Sequence, residues 1–225
     1  MPFYFSINVA AIVQIFIPLD GANRLMRGLM KKVNSLKRVW IWIRRFRHRR
    51  GYGVHSPFAF QLITWVIYEK GRFYAYDELD RLRNQYSSDK INSRKVDRLL
   101  FRLANAVQPV TILDIGSPST LSAAYLKAGC RSARWVSSSE MPVSTLGLVH
   151  FGGCTPEPEL LEQFLPLTDA KSLFVIEGIY DSPAMCQWWK QLVNDSRTGI
   201  TFDLYDVGLV FFDKSKIKQH YIVNF

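Results

Sequence analysis

Val110-Thr111-Ile112-Leu113-Asp114-Ile115-Gly116, followed by the turn Ser117-Pro118-Ser119-Thr120 and the run LSAAYLKA, decides how this 225-residue chain is read. A short β-branched run entered through Pro109 and ended by an acid and a glycine predicts a strand buried on both faces, the first of a parallel sheet. Residues 121–128 predict the helix that follows it. Strand, glycine turn and helix form the half-unit on which open α/β sheets hold nucleotides, at the carboxyl end of the strand.

Working outward toward the C-terminus, the texture continues in kind. Strands are predicted at residues 133–139, 146–151 and 172–179, and helices at 158–165 and 185–193. The tail differs. Residues 200–205, 207–212 and 220–225 are all strand-like and are joined too tightly for helical crossovers, so they predict an antiparallel closing hairpin and an edge strand. Lys214, Lys216 and Lys218 before the last strand read as edge protection. Trp188 and Trp189 fall on an amphipathic helix and are read as core, while Tyr74 and Tyr76 stay open between core and pocket.

Working outward toward the N-terminus, residues 92–107 and 76–86 predict two helices, and 87–91 a lid or linker between them. Ser56-Pro57 offers a cap and a first-turn proline for a helix over 57–69 that is apolar nearly all round and therefore expected to be buried. Gly51-Tyr52-Gly53 separates that helix from a basic stretch. Residues 21–68 hold eleven Lys and Arg and no acid, whereas 69–225 balance 18 basic with 18 acidic residues, so the net charge of +10 belongs to an arm. Within it Leu25, Leu29, Val33, Leu36, Trp40 and Ile43 recur at helical spacing opposite Arg27, Lys31, Asn34, Arg38 and Arg45. Trp40 and Trp42 stand near the end of this amphipathic helix. It is read first as a solvated helix, second as a contact to an anionic membrane surface through residues 24–50, and third as a nucleic-acid contact through RRFRHRR.

Residues 3–19 are mostly apolar, but Ser6, Asn8, Gln14 and Pro18 interrupt them, and a span needs about 20 apolar residues. A cleaved leader would carry its positive charge before the apolar stretch, not after it. The expected location is cytoplasmic, with peripheral attachment at the inner face of the membrane as the variant the arm allows. The domain plan is a leader and arm over 1–50, a helical cap over 51–108 and an α/β domain over 109–225.

Composition and motifs exclude several classes. Cys130, Cys154 and Cys186 have no paired spacing, which argues against a disulfide framework or zinc ribbon. No G-x-S-x-G and no G-x-x-x-x-G-K-[ST] occurs, so a nucleophile-elbow hydrolase and a P-loop NTPase are set aside. No period of 20 to 50 residues marks a repeat array.

The blocks GYGVHSPFAF (51–60), LLFRLANAVQPVTILDIGS (99–117) and FDLYDVGLVFFDKSKIKQHYIVNF (202–225) resemble, in this order, a bacterial family of small class I S-adenosylmethionine-dependent methyltransferases. The resemblance covers residues 49–225 and implies a Rossmann-like sheet, mostly parallel, with an antiparallel C-terminal hairpin and N-terminal helices before it. It also implies S-adenosylmethionine as cofactor, a methyl acceptor of unknown class, and a natural start at Met30. Carried over residue by residue, it places Asp114, Gly116, Ser117 and Glu140 at the cofactor and Glu177, His150 and Tyr180 at the acceptor, with no metal. Glu177, helped by His150 or Tyr180, would deprotonate the acceptor.

The chain also departs from that pattern. Pro118 and Thr120 stand where glycines of the cofactor turn belong, and Ser139 rather than Glu140 aligns with the ribose-binding acid. Gly152 replaces an acid, and Glu177-Gly178 replaces paired acids. Too few residues follow Glu140 for a helix and a strand, so one βα unit is expected to be missing. Two functions stay open: a methyltransferase of weakened activity, or a catalytically degenerate interaction module that keeps the fold and docks through its arm.

Overall fold

The computed structural model of the protein describes residues 39–41, 43–46, 53–86, 93–116, 120–136, 145–153 and 158–225. Leader residues 1–38, Trp42, the basic run 47–50 with Gly51 and Tyr52, and the 87–91 linker lie outside them, as do Ser117, Glu140 and Cys154. The chain divides into two units, Met1–Phe46 and Arg47–Phe225. In the first, residues 39–41, 43 and 44 are helical, and the Arg44 guanidinium lies 5.4 Å from the Trp40 ring centre.

In the second unit, α1 (Pro57–Leu62) starts at Ser56, whose side chain accepts the Ala59 N–H. It continues as a π-helical turn over Ile63–Ile67, closed by the Tyr68 N–H donating to Ile63 O at 2.9 Å. α2 (Tyr76–Gln85) and α3 (Arg94–Val107) follow, the latter capped by Ser93. Then come β1 (Thr111–Ile115), α4 (Thr120–Gly129), β2 (Arg134–Val136), β3 (Leu146–Phe151), α5 (Pro158–Phe164), β4 (Thr168–Glu177), α6 (Pro183–Asn194), β5 (Thr201–Asp203), β6 (Val207–Phe211) and β7 (His220–Ile222). The apolar α1 does bury Ala59, Leu62, Ile63 and Ile67, but Phe60 and Trp65 stand in solvent, which corrects the expectation of a helix buried all round. Trp65 lies within the i→i+5 turn.

The sheet order is β2-β1-β3-β4-β6-β5-β7. β1, β2, β3 and β4 are parallel; β6 runs antiparallel to both β4 and β5; β7 lies at the edge parallel to β5. The hairpin and edge strand expected from the tail are therefore present. Nine residues separate Val136 from Leu146, and among the described residues no strand lies beyond β2. β4 begins four residues before its predicted start, at Thr168, directly after a short 3-10 turn over Leu165–Leu167.

Alternation along the strands builds two cores. Ile112, Leu148, Leu173 and Val175 pack with α1 to α4, around Phe101, Leu103 and Tyr125. Leu113, Val149, Phe174 and Ile176 pack on the other face with α5 and α6, around Phe164, Trp188 and Trp189. Both tryptophans of α6 are thus core, as read. Gly129 is needed where α4 meets α3, because a Cβ there would lie 2.4 Å from the Phe101 carbonyl. In the helical layer Arg102 is 7% exposed and satisfies carbonyls at the end of the π-helical turn after α1, donating to Val66 O at 2.6 Å and to Ile67 O at 3.1 Å.

Candidate functional site

The helix after β1 packs on one face of the sheet and the helix after β3 on the other, since α4 contributes to the first core and α5 to the second. Adjacent strands whose crossovers diverge open a crevice at their carboxyl ends, where open α/β sheets take ligands. Asp114 and His150 flank that crevice. They are register partners across β1 and β3, and Val175 of β4 stands opposite His150 on the other side. Asp114, His150 and Glu177 share the strand parity of Ile112, Leu148 and Val175, so all three side chains leave the sheet on the α1 to α4 face.

They meet there. His150 is fully buried; its Nδ1 lies 2.8 Å from Asp114 Oδ1 and its Nε2 2.9 Å from Glu177 Oε1. A neutral imidazole has one N–H and one lone pair, so it could donate to only one of two flanking carboxylates. Two acceptor oxygens at hydrogen-bond distance therefore call for the doubly protonated ring. Burial acts against that charge, but the hydrogen bonds to Asp114 and Glu177 and the charges of both carboxylates outweigh it and hold the His150 pKa up to about 9.

Gly116, which ends the strand, has φ +63, a left-handed conformation that side chains disfavour. Ser117 and Glu140, the other two residues expected at the cofactor, lie outside the described residues. Tyr180 is placed beyond β4, where its hydroxyl donates to Asp203 Oδ2 at 2.5 Å and its ring stacks on Tyr205, centroids 5.4 Å apart. With that proton given to a carboxylate, Tyr180 is a poor choice for the base. Gly178, next to Glu177, donates its N–H to Asp206 O at 2.8 Å and so ties the end of β4 to the β5–β6 turn.

Two residues of this edge escape a reading of the sequence. Asp203, buried at the end of β5, carries Tyr180 and also accepts the Tyr205 N–H. Tyr205 has φ +74 at the first position of a two-residue hairpin turn closed by the Leu204 N–H to Val207 O, a position that favours glycine. The signal available was the spacing Asp203-x-Tyr205 between two strands, but nothing in it names Tyr180 as the partner. Among the described residues no group of His, Cys, Asp and Glu is arranged to hold a metal ion.

No protein-family model and no curated protein matches the chain. Solved structures do. The methyltransferase PaMTH1 of Podospora anserina, in an SAH-bound crystal, superposes with a TM-score of 0.50 at 14% identity, covering 70% of this chain and 96% of that one. The O-methyltransferase TomG of Streptomyces achromogenes, involved in tomaymycin synthesis and solved with SAM, gives 0.46 at 16% identity over 63% of this chain and 91% of its own. An O-methyltransferase from Bacillus cereus, in complex with SAH, gives 0.45 at 11% over 65% and 94%. At such identities the likeness is one of fold: this chain has a Rossmann-like methyltransferase sheet, mostly parallel, with an antiparallel C-terminal part.

Proposed function

We propose that the protein is an S-adenosylmethionine-dependent methyltransferase-like protein whose site is the carboxyl edge of β1, β3 and β4. The observation that carries this reading is the Asp114–His150–Glu177 set, built round the fully buried His150, at the switch point of the sheet. The fold shared with PaMTH1, whose crystal is SAH-bound, supports it. The residues present fit the cofactor. Two carboxylates around one imidazolium leave one negative charge, which suits a ligand bearing an ammonium and a sulfonium. Gly116 offers backbone without a Cβ beside them.

Asp114 and Gly116 would hold the cofactor, with Ser117 and Glu140 as further contacts from the loops after β1 and β2. When bound, the cofactor supplies an electrophilic methyl group. Glu177, whose Oε1 faces His150, accepts the proton of the methyl acceptor. His150 gives both of its protons to carboxylates and is a positioning residue, not the base. Tyr180, fixed by Asp203, shapes the acceptor side. Methyl transfer gains much of its rate from proximity and orientation, which suits so sparse a set of acids.

Calorimetric titration of the full chain with S-adenosylmethionine and S-adenosylhomocysteine tests this. Micromolar binding is expected, weakened roughly tenfold or more by Asp114→Ala, the effect of losing a hydrogen bond to a charged group. A folded sample that gives no heat with either would contradict it. That outcome would favour the second reading, a fold kept as an interaction module, which the short β2 to β3 connection also supports.

A further inference from the structure

We infer that the outer face of α1 is a docking surface for an anionic phospholipid bilayer, with the basic arm supplying the charge that draws it there. From Pro57 through Ile67 (PFAFQLITWVI) the helix carries no ionisable side chain. Its buried side belongs to the core, and its outer side presents Phe60, 46% exposed, and Trp65, 68% exposed. Between them Thr64 donates its hydroxyl to Phe60 O at 2.8 Å, so its proton is satisfied within the helix and asks nothing of water. An amphipathic Trp beside an apolar ring, on a helix that otherwise serves the core, is the composition of an interfacial contact.

Charge decides what covers this face. The helix sits in an acid-free stretch, residues 21–68, with eleven Lys and Arg. In the described part of the arm Val39, Trp40, Ile43 and Phe46 are each more than half exposed, alongside Arg44. On the body, the Lys216 ammonium lies 4.9 Å from the ring centre of Phe58, which places a cation at the first turn of α1 while it also pairs with Asp213. Exposed aromatics in a stretch of chain that holds eleven basic residues and no acid fit a surface with an apolar interior and anionic headgroups.

Two other occupants fit less well. A second copy of the chain would bring together two molecules that each carry a net charge of +10, and they repel. Nucleic acid is gripped through cations on the contacting face, and from Pro57 through Ile67 the helix itself carries none. The arm and α1 differ in what each contributes: the arm gives long-range, salt-sensitive attraction, and α1 gives apolar anchorage.

The test uses the full chain and vesicles of phosphatidylcholine alone or with about one-third phosphatidylglycerol. Sedimentation with the anionic vesicles is expected, and Phe60→Ser with Trp65→Ser should weaken it roughly tenfold or more with an unchanged melting temperature, since both rings lie in solvent. Trp65→Phe provides a second readout: binding persists, but quenching of tryptophan emission by brominated lipid falls. Equal sedimentation of the double variant, failure of the parent chain to bind anionic vesicles, or retention of RNA in place of vesicles would overturn the inference. Cofactor titration stays the same in every one of these variants, so the failure of this surface and the failure of the methyltransferase reading are distinguishable.

Discussion

Arg102 in the helical layer and His150 at the carboxyl edge of the sheet are both buried cations, 7% and 0% exposed. Arg102 spends its donors on neutral groups, the carbonyls of Val66 and Ile67 and the Tyr76 hydroxyl. His150 faces two carboxylates, each at the end of a different strand. The first cation pairs backbone that the end of a helix leaves without partners, and its charge is incidental. The second sits between two carboxylates at the carboxyl edge of the sheet, and its charge depends on pH. Partner chemistry, not depth of burial, separates the two cations.

Removing each cation sharpens that contrast. His150→Leu removes the cation from between Asp114 and Glu177, and urea unfolding should show a loss of about 3–5 kcal/mol. Changing pH in the unmodified chain removes much of the same contribution. Because the His150 pKa is raised from 6.5 to about 9, its stabilisation is complete below pH 6.5 and is lost as pH rises through 9. The melting temperature should therefore fall across that window, and the fall should be absent in His150→Leu. Arg102→Met keeps the packing of the stem but strands two carbonyls, for a loss of about 2 kcal/mol by the same denaturant measurement. Its melting profile between pH 6.5 and 9 should parallel that of the parent chain; a flat profile would break the comparison.

The smallest effect is expected at the β5–β6 turn. Tyr205→Gly relieves a positive φ but loses the stack on Tyr180 and adds chain entropy, so its melting point should correspond to a change of less than about 1 kcal/mol. A large loss would mean that the turn is held by more than its backbone.

Much of this fold was legible in the chain. The apolar run ending in Asp114 and Gly116 marked β1 and its carboxyl edge, and the tight spacing after residue 200 marked the hairpin. Ser56-Pro57 marked the start of α1. Asp114, His150 and Glu177 could each be singled out, but their meeting could not. It depends on which strands become neighbours and in what register, and that is settled by packing across the sheet. Arg102 was legible only in part, as a polar residue within the apolar stripe Leu99, Leu100 and Leu103. The exposure of Trp65 was not legible, because apolar composition all round a helix argues for burial and says nothing of a π turn.

The most direct test of the account is the protonation state of His150, followed by nitrogen-15 resonance of its ring in the full chain and assigned by loss of the signal in His150→Gln. Both ring nitrogens should be protonated at neutral pH, with a transition near pH 9, and saturating S-adenosylhomocysteine should shift that resonance. A singly protonated ring at neutral pH, or a resonance indifferent to the ligand, would contradict the claim that a charged histidine between Asp114 and Glu177 forms the floor of the cofactor site.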